Sequence, residues 1–350
     1  MSAPRYRWQP STADIAEAAG VAVEDVIRFD HNTSPFPTDW AVDLVADGAR
    51  ALNEYPAADY RVIREAAARR GGLSPDQVTV GAGVDELLLL VGRAFLGPGR
   101  TAVALTPSYP LYEISSLQVG AELVQVPVVG PSFAFPVHDI VAASRSAAVT
   151  WLCVPDNPTG LRPRNESVAE IIAATPGIVV VDAAYAEFAG DDWAPWVDRH
   201  RNLIALHTLS KAFGVAAIRV GYALAAPHLI DAIDAVRPPG SISSLSVQVA
   251  IAALGRADHM RTQVAAIVAE RDRLATLLAG LGFRVVPSQA NFLLCEAGEG
   301  AQRLADGLMG EGLVVRRYPA GSPLERYLRF TVRSPAENDK VTAALERRLG

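Results

Sequence analysis

The stretch Ile178-Val179-Val180-Val181-Asp182 is a run of four β-branched residues closed by a single carboxylate. A run without apolar/polar alternation reads as a strand covered on both faces, the signature of a parallel sheet between helices. Working outward, Val78 to Val80, Thr101 to Leu105, Glu122 to Val128, Ala148 to Val154, Leu203 to Leu206 and Arg219 to Leu224 read as further strands. Val84 to Phe95, Tyr109 to Val119 and residues 165–174 read as helices between them. Strands alternating with helices imply an α/β layered fold with a mostly parallel sheet.

On the N-terminal side, residues 12–19 read as a helix capped by Thr12, and Val26 to Asp30 as a short extended run. Pro35 and Pro37 make residues 31–37 an irregular arm, and 39–52 and 58–70 read as helices. After residue 240 a long helical region spans 244–280 with a break near Gly255. Short strands follow at Phe283 to Val286, Asn291 to Cys295, Leu313 to Arg316 and Leu328 to Val332, with helices at 299–310 and 335–348. The expected organisation is a large α/β domain over 38–255 and a smaller α+β domain formed by 1–37 with 256–350.

Composition narrows the function. Half of the 350 residues are hydrophobic and a fifth are charged, as in soluble globular proteins. The net charge of −6 and the lack of a basic block argue against nucleic acid as a partner. The start, Met1-Ser2-Ala3-Pro4-Arg5-Tyr6, has no apolar signal core and no span reaches the length of a membrane helix, so the expected location is the cytoplasm. Cys153 and Cys295 sit in apolar runs and read as buried strand thiols.

The cations are more telling. The chain holds 32 Lys plus Arg, of which only Lys211 and Lys340 are lysine. In so arginine-biased a chain, a lysine in the middle of His207-Thr208-Leu209-Ser210-Lys211-Ala212-Phe213-Gly214 points to chemistry that a guanidinium cannot do. Lysine can shed its proton and act as an amine nucleophile, whereas arginine stays protonated. Lys340, within Glu337-Asn338-Asp339-Lys340, reads as a solvated charge.

Ligands of parallel sheets lie beyond the carboxyl ends of the strands, which is where Asp182 falls. An acid there suits a cationic ring nitrogen or a metal, and the dispersed histidines favour an organic group. Val154-Pro155-Asp156-Asn157-Pro158-Thr159-Gly160 follows another strand and would present the Asn157 amide from a stiff loop. Gly81-Ala82-Gly83-Val84-Asp85-Glu86 joins a strand to a helix, where small residues let backbone amides approach a phosphate. Glu86 stands where a dinucleotide fingerprint wants Gly or Ala, which disfavours a nicotinamide dehydrogenase. An amine, an acid for a ring nitrogen and a single-phosphate cradle together are the requirements of pyridoxal 5′-phosphate catalysis.

With these motifs in place the chain resembles the fold-type I, class I/II aminotransferases, and within them the histidinol-phosphate aminotransferase branch, from about Phe29 to the C-terminus. The resemblance implies a fold-type I architecture and pyridoxal 5′-phosphate as cofactor. It implies that Lys211 is the Schiff-base lysine and proton carrier, that Asp182 pairs with the pyridine nitrogen, and that Asn157 and Tyr185 bond the ring oxygen. Tyr109 would stack on the ring. Gly83, Val84, Asp85, Thr208, Ser210 and Arg219 would hold the phosphate. Tyr55 would reach it from a neighbouring subunit, implying a homodimer. Arg329 would grip the acidic group of the substrate, with Arg316 as a second arginine, although Arg317 competes for that alignment, and Asn157 also faces the substrate.

Two positions depart from the family pattern. The usual Asn-Glu-Asn-Pro reads Asn32-Thr33-Ser34-Pro35, and the acid that often follows the ring-binding aspartate is Ala183; both fall on the expected substrate side. The expected reaction is transfer of an amino group from histidinol phosphate or a related amino acid to a 2-oxo acid such as 2-oxoglutarate. The alternatives are a paralogue using an aromatic or guanidino amino acid, a decarboxylase, cyclase or oxidase on the same fold, and a non-enzymatic module that senses the cofactor.

Overall fold

The computed structural model describes Tyr6 and residues 9–349; the N-terminal reading over Met1 to Arg5 lies outside the described residues. Twelve strands are present among the described residues: β1 (Ile27–Phe29), β2 (Val78–Gly81), β3 (Thr101–Thr106), β4 (Glu122–Pro127), β5 (Val149–Cys153), β6 (Ile178–Asp182), β7 (Leu203–Thr208), β8 (Gly221–Ala225), β9 (Arg284–Val285), β10 (Phe292–Glu296), β11 (Leu313–Arg317) and β12 (Tyr327–Thr331). They form a seven-stranded sheet, β2-β8-β7-β6-β5-β3-β4, and a five-stranded sheet, β1-β11-β12-β10-β9.

In the large sheet only β8 runs against its neighbours, β7 and β2. Every residue of β5, β6, β7 and β8 is buried, as the unbroken apolar runs predict. Register then aligns the strand ends: Cys153 lies opposite Asp182 and Asp182 opposite Leu206, so β5, β6 and β7 finish at one edge. The reversal into β8 brings Gly221 opposite Thr208 at that edge. Gly221 has to lack a side chain, because a Cβ there would lie 2.9 Å from the Gly83 carbonyl carbon, the Val84 nitrogen and the His207 oxygen. That contact packs the start of the helix Gly83–Phe95 onto the end of the sheet.

The smaller sheet draws its first strand from the N-terminal arm: β1 pairs in parallel with β11, and β12 runs antiparallel to both β11 and β10. The arm after β1 has no regular structure, as its two prolines require. Asn32 takes a left-handed φ of 53°, a conformation that Asn tolerates better than most residues. Its amide N–H donates to Thr331 Oγ1 at 2.9 Å, which fastens the arm to β12.

Several element boundaries differ from the sequence reading. Ser11, not Thr12, caps the first helix: its hydroxyl accepts from the Asp14 amide, and Asp14 accepts from the Ser11 amide. The segment 39–52 divides into 3₁₀, α and 3₁₀ pieces around a single α-helix, Val42–Gly48. The break in 244–280 falls as expected, between Ser244–Leu254 and Ala257–Gly280. The structure adds helices at Val137–Ser144, Ala194–Arg199 and Pro227–Asp234; each is no longer than eight residues, too short to show a helical period in the sequence. Both cysteines are buried and free. No described helix is long and apolar enough to cross a membrane.

Candidate active site

The carboxyl edge of the large sheet, the arm after β1 and the ends of β11 and β12 enclose a cleft of about 1010 Å³. Lys211, Asp182, Tyr185, Asn157, Tyr109, Val84, Asp85, Thr208, Ser210, Arg219, Arg316 and Arg329 all line it. Residues scattered from Val84 to Arg329 therefore meet because each lies at a strand end, on a loop just beyond one, in the first turn of the helix Gly83–Phe95, or on β11 or β12.

Asp182 is buried. Its Oδ2 accepts from the Tyr112 hydroxyl at 2.7 Å and its Oδ1 from the Ala184 amide at 3.1 Å. Burial pushes the carboxyl up to about 6, against the pull of those two donors. Tyr112 is a member of the site that the sequence does not single out. It lies one helical turn after Tyr109, is stacked on Trp151 at 5.9 Å, and is the hydrogen-bond donor that keeps Asp182 oriented.

Lys211 follows β7 in a loop, with its Nζ donating to the His31 carbonyl at 2.9 Å. Burial and then the nearby Arg329 guanidinium pull its amine down to about 8, with Arg219 acting the same way and Asp85 and Asp182 opposing. A lysine so placed has a usable neutral fraction near neutral pH.

The Tyr185 hydroxyl receives Asn32 Nδ2 at 3.0 Å and Asn157 Nδ2 at 3.4 Å. Asn157 Oδ1 accepts from Arg329 Nη1 at 2.5 Å, and Arg329 Nη2 donates to the Asp30 carbonyl at 2.8 Å. The buried Arg329 Nε has no partner, so this guanidinium keeps hydrogen-bonding capacity in reserve. Arg316 lies directly opposite Arg329 across β11 and β12, so their side chains share one face. Arg317, one residue on, turns the other way and pairs with Asp306, which removes the ambiguity between the two arginines.

The other end of the cleft is built to take an anion. Arg219 sits at φ 52°, a left-handed conformation that costs a non-glycine residue roughly 1–2 kcal/mol. It donates to Asp85 Oδ2 at 3.0 Å and to Ser210 Oγ at 3.4 Å. Gly83 takes a positive φ of 80°, and a Cβ there would stand 2.7 Å from Arg219 Nη2, so a side chain would be strained and would push the guanidinium from the helix N-terminus. Asp85 also accepts from the Tyr109 hydroxyl at 2.8 Å, which orients that ring at the cleft wall. The Thr208 hydroxyl accepts from the Ser210 amide at 3.1 Å and closes the turn. An amine, a buried carboxylate and an anion cradle whose glycine leaves no room for a side chain fit the amine-binding, ring-binding and phosphate-binding needs of pyridoxal phosphate.

Tyr55, expected to act across a subunit interface, is 96% exposed and outside the cleft wall of its own chain. One expectation is not met. Thr33 and Ala183 do not form the substrate side: Thr33 receives Arg333 at 3.5 Å, and Ala183 is wholly buried with its amide on the Leu206 carbonyl. The side chain at 33 turns toward Arg333, leaving Asn32, His31 and Asp30 to line the cleft.

A seven-stranded order with one reversed strand, and an amine at its carboxyl edge, define the fold-type I transferase class. The aminotransferase class I and II family model matches residues 24–345. A histidinol-phosphate aminotransferase of Caldanaerobacter subterraneus subsp. tengcongensis is 35% identical over 324 residues, 91% of this chain and 92% of the relative. An aromatic amino acid aminotransferase of Cutibacterium acnes is 32% identical over 92% of each chain. The crystal structure of histidinol-phosphate aminotransferase from Sinorhizobium meliloti in complex with pyridoxal 5′-phosphate superposes with a TM-score of 0.89 at 29% identity, covering 98% of this chain and 95% of that one. The chain belongs to the class I and II aminotransferase family.

Proposed function

We propose that this aminotransferase uses pyridoxal 5′-phosphate to move the amino group of histidinol phosphate to a 2-oxo acid such as 2-oxoglutarate. The observation that carries the choice of donor is the cross-strand pair Arg316 and Arg329 in the cleft that holds Lys211. Two guanidinium groups match a phosphate dianion in charge, whereas one suffices for a carboxylate. The relatives named as histidinol-phosphate aminotransferases support the same donor.

When bound, the cofactor supplies an electrophilic carbonyl and an electron-accepting pyridine ring. The residues of the chain do the rest. Lys211 Nζ would hold the carbonyl end and is placed to carry a proton to and from the donor's Cα. Asp182 would keep a proton on the ring nitrogen through its buried charge, and Tyr112 keeps Asp182 aimed. Asn157 and Tyr185 would bond the ring oxygen, and Tyr109 would cover the ring. The amides of Gly83, Val84 and Asp85, with Thr208, Ser210 and Arg219, would take the cofactor phosphate. Arg329 and Arg316 orient the donor's acidic group, with Asn157 fixing Arg329.

A screen of amine donors with 2-oxoglutarate tests the substrate. Histidinol phosphate is expected to give the highest kcat/KM, and a higher value for phenylalanine or an arginine-like donor would overturn the reading. The aromatic donor is the second reading, favoured by the Cutibacterium acnes relative. A donor that releases carbon dioxide in place of passing on its nitrogen would point instead to a decarboxylase.

We further propose a homodimer in which Tyr55 completes the cofactor phosphate site of the partner subunit. Tyr55 shares the segment 42–62 with Val42, Val45, Leu52 and Val62, all of them exposed large apolar side chains of the kind interfaces cover. Sedimentation of the holoenzyme should give twice the 37.1 kDa chain mass; a monomer that retains full activity would refute it. The division into 38–255 and 1–37 with 256–350 is supported by strand membership, since the seven large-sheet strands fall within 78–225. Limited proteolysis that cuts first inside 38–255 would count against it.

A further inference from the structure

Tyr318 follows β11 directly and lines the substrate side of the cleft with Arg316 and Arg329. Its hydroxyl is buried and has no hydrogen-bond partner. Native interiors leave few such groups, and one on a residue that lines a binding cleft is a donor available to a ligand that reaches it. The residue is held from its backbone, where its carbonyl accepts from Gln302 Nε2 at 2.8 Å. Burial raises the phenol above its ordinary range; Arg329 and Arg316 favour ionisation and Asp156 opposes it. The hydroxyl therefore keeps its proton at neutral pH and is a donor to an anionic oxygen.

We propose that Tyr318 is a specificity-determining residue that favours a donor bearing a phosphate ester over one bearing a carboxylate, by donating its hydroxyl to a phosphate oxygen. The inference rests on the reading of the donor as a phosphate ester. A phosphate monoester offers three terminal oxygens and a carboxylate two. The forks of Arg316 and Arg329 can satisfy two oxygens of either group. Only the phosphate has a third oxygen free for the hydroxyl, whereas on a carboxylate the hydroxyl has to share an oxygen that a guanidinium already holds. The hydroxyl is then poorly paired with a carboxylate, and binding sites discriminate most sharply through polar groups that the wrong ligand leaves unpaired.

One internal arrangement competes. Asp156 Oδ1 is also buried without a partner, and a hydroxyl that turned to it would serve the fold and not the donor. That arrangement predicts a lower melting temperature in Tyr318→Phe with no change in preference between anions.

The test compares wild-type and Tyr318→Phe holoenzymes, since phenylalanine keeps the aromatic body and removes only the hydroxyl. The kcat/KM for histidinol phosphate is expected to fall about 10- to 100-fold, the usual loss for a hydrogen bond to a charged group. The inhibition constant of inorganic phosphate, competitive with the donor, should rise in step. The KM for 2-oxoglutarate, whose acidic group is a carboxylate, should stay within about threefold, because that group never used the hydroxyl. Equal losses for both substrates, no loss for histidinol phosphate, or a lowered melting temperature with an unchanged ratio would each overturn the role of Tyr318. A wild-type enzyme that does not accept histidinol phosphate would instead refute the donor reading, and this inference with it.

Discussion

Lys211→Ala is expected to lower the transamination rate by at least about 10⁴-fold, the upper range for losing a positioned acid–base group, and more if covalent attachment is lost with it. The Lys211 amine is held down to about 8, chiefly by burial and by Arg329, so near pH 7.5 an appreciable fraction is neutral and nucleophilic. Alanine removes that amine, and among the described residues the only other lysine, Lys340, is on the C-terminal helix Pro335–Leu349, outside the cleft. Lys211→Arg should be as inactive as Lys211→Ala even though it keeps the positive charge, because a guanidinium does not deprotonate. Borohydride reduction of wild-type holoenzyme followed by peptide mass mapping should leave the cofactor mass on Lys211 and on no peptide of either variant. If Lys211→Arg retained more than a few per cent of wild-type turnover, Lys211 would be a charge and not a nucleophile, and the functional reading would fail.

The arginine-rich composition makes Lys211 stand out in the sequence alone, and the apolar run Ile178 to Val181 makes the sheet legible with Asp182 at its end. Those two features depend on local chemistry and on the rule that parallel strands deliver ligands at their carboxyl edge. What stays hidden depends on how separate elements meet. Tyr112 has no address in a linear reading: it is one more apolar position of a short helix until β6 brings Asp182 within 2.7 Å. Arg316 and Arg317 are equivalent by sequence, and only the pairing of Arg316 with Arg329 decides which faces the cleft. The segment 39–52 reads as one long helix because Val42, Val45 and Leu52 recur at helical spacing, yet all three are exposed. The segment packs on the helix Ser244–Leu254 through Gly48 and not through those three side chains, so the pattern does not hold a single helix together and the segment divides into shorter turns. The anion cradle falls between these cases: Gly83 is legible as part of a motif, but its purpose, leaving room for Arg219, follows from a contact between distant parts of the chain.

Asp182→Asn should separate the two roles of its carboxylate, because asparagine keeps the shape and loses the charge, its single oxygen accepting from Tyr112 or from the Ala184 amide but not from both. Turnover is expected to fall about 10²- to 10³-fold, the range for removing one preorganised electrostatic partner. The stability of the apoprotein should move the other way. Burial raises the Asp182 carboxyl from 3.8 to about 6 in the folded chain, so the folded state holds this proton more tightly than the unfolded one. The contribution of Asp182 to stability is then complete below about pH 4 and is lost as pH rises through 6, a change of about 3 kcal/mol at about 1.4 kcal/mol per pH unit. Asparagine carries no such loss, so at pH 7 the Asp182→Asn apoprotein should melt higher than the wild-type apoprotein, and the difference should vanish near pH 4. In wild type the ionised carboxylate is what a protonated ring nitrogen needs. Cofactor affinity measured by titration of the apoprotein should therefore weaken about tenfold per pH unit below 6, and this acid limb should be absent in Asp182→Asn. Tyr112→Phe removes the donor that opposes the effect of burial, so the acid limb should shift to higher pH while the carboxylate itself remains. A flat affinity profile in wild type, or an Asp182→Asn enzyme with more than a tenth of wild-type turnover, would show that the buried charge does not act on the ring. The fold supports the stronger expectation: the carboxylate is buried at the end of β6 against the preference of its own ionisation, and a cationic ring nitrogen is what would offset that cost.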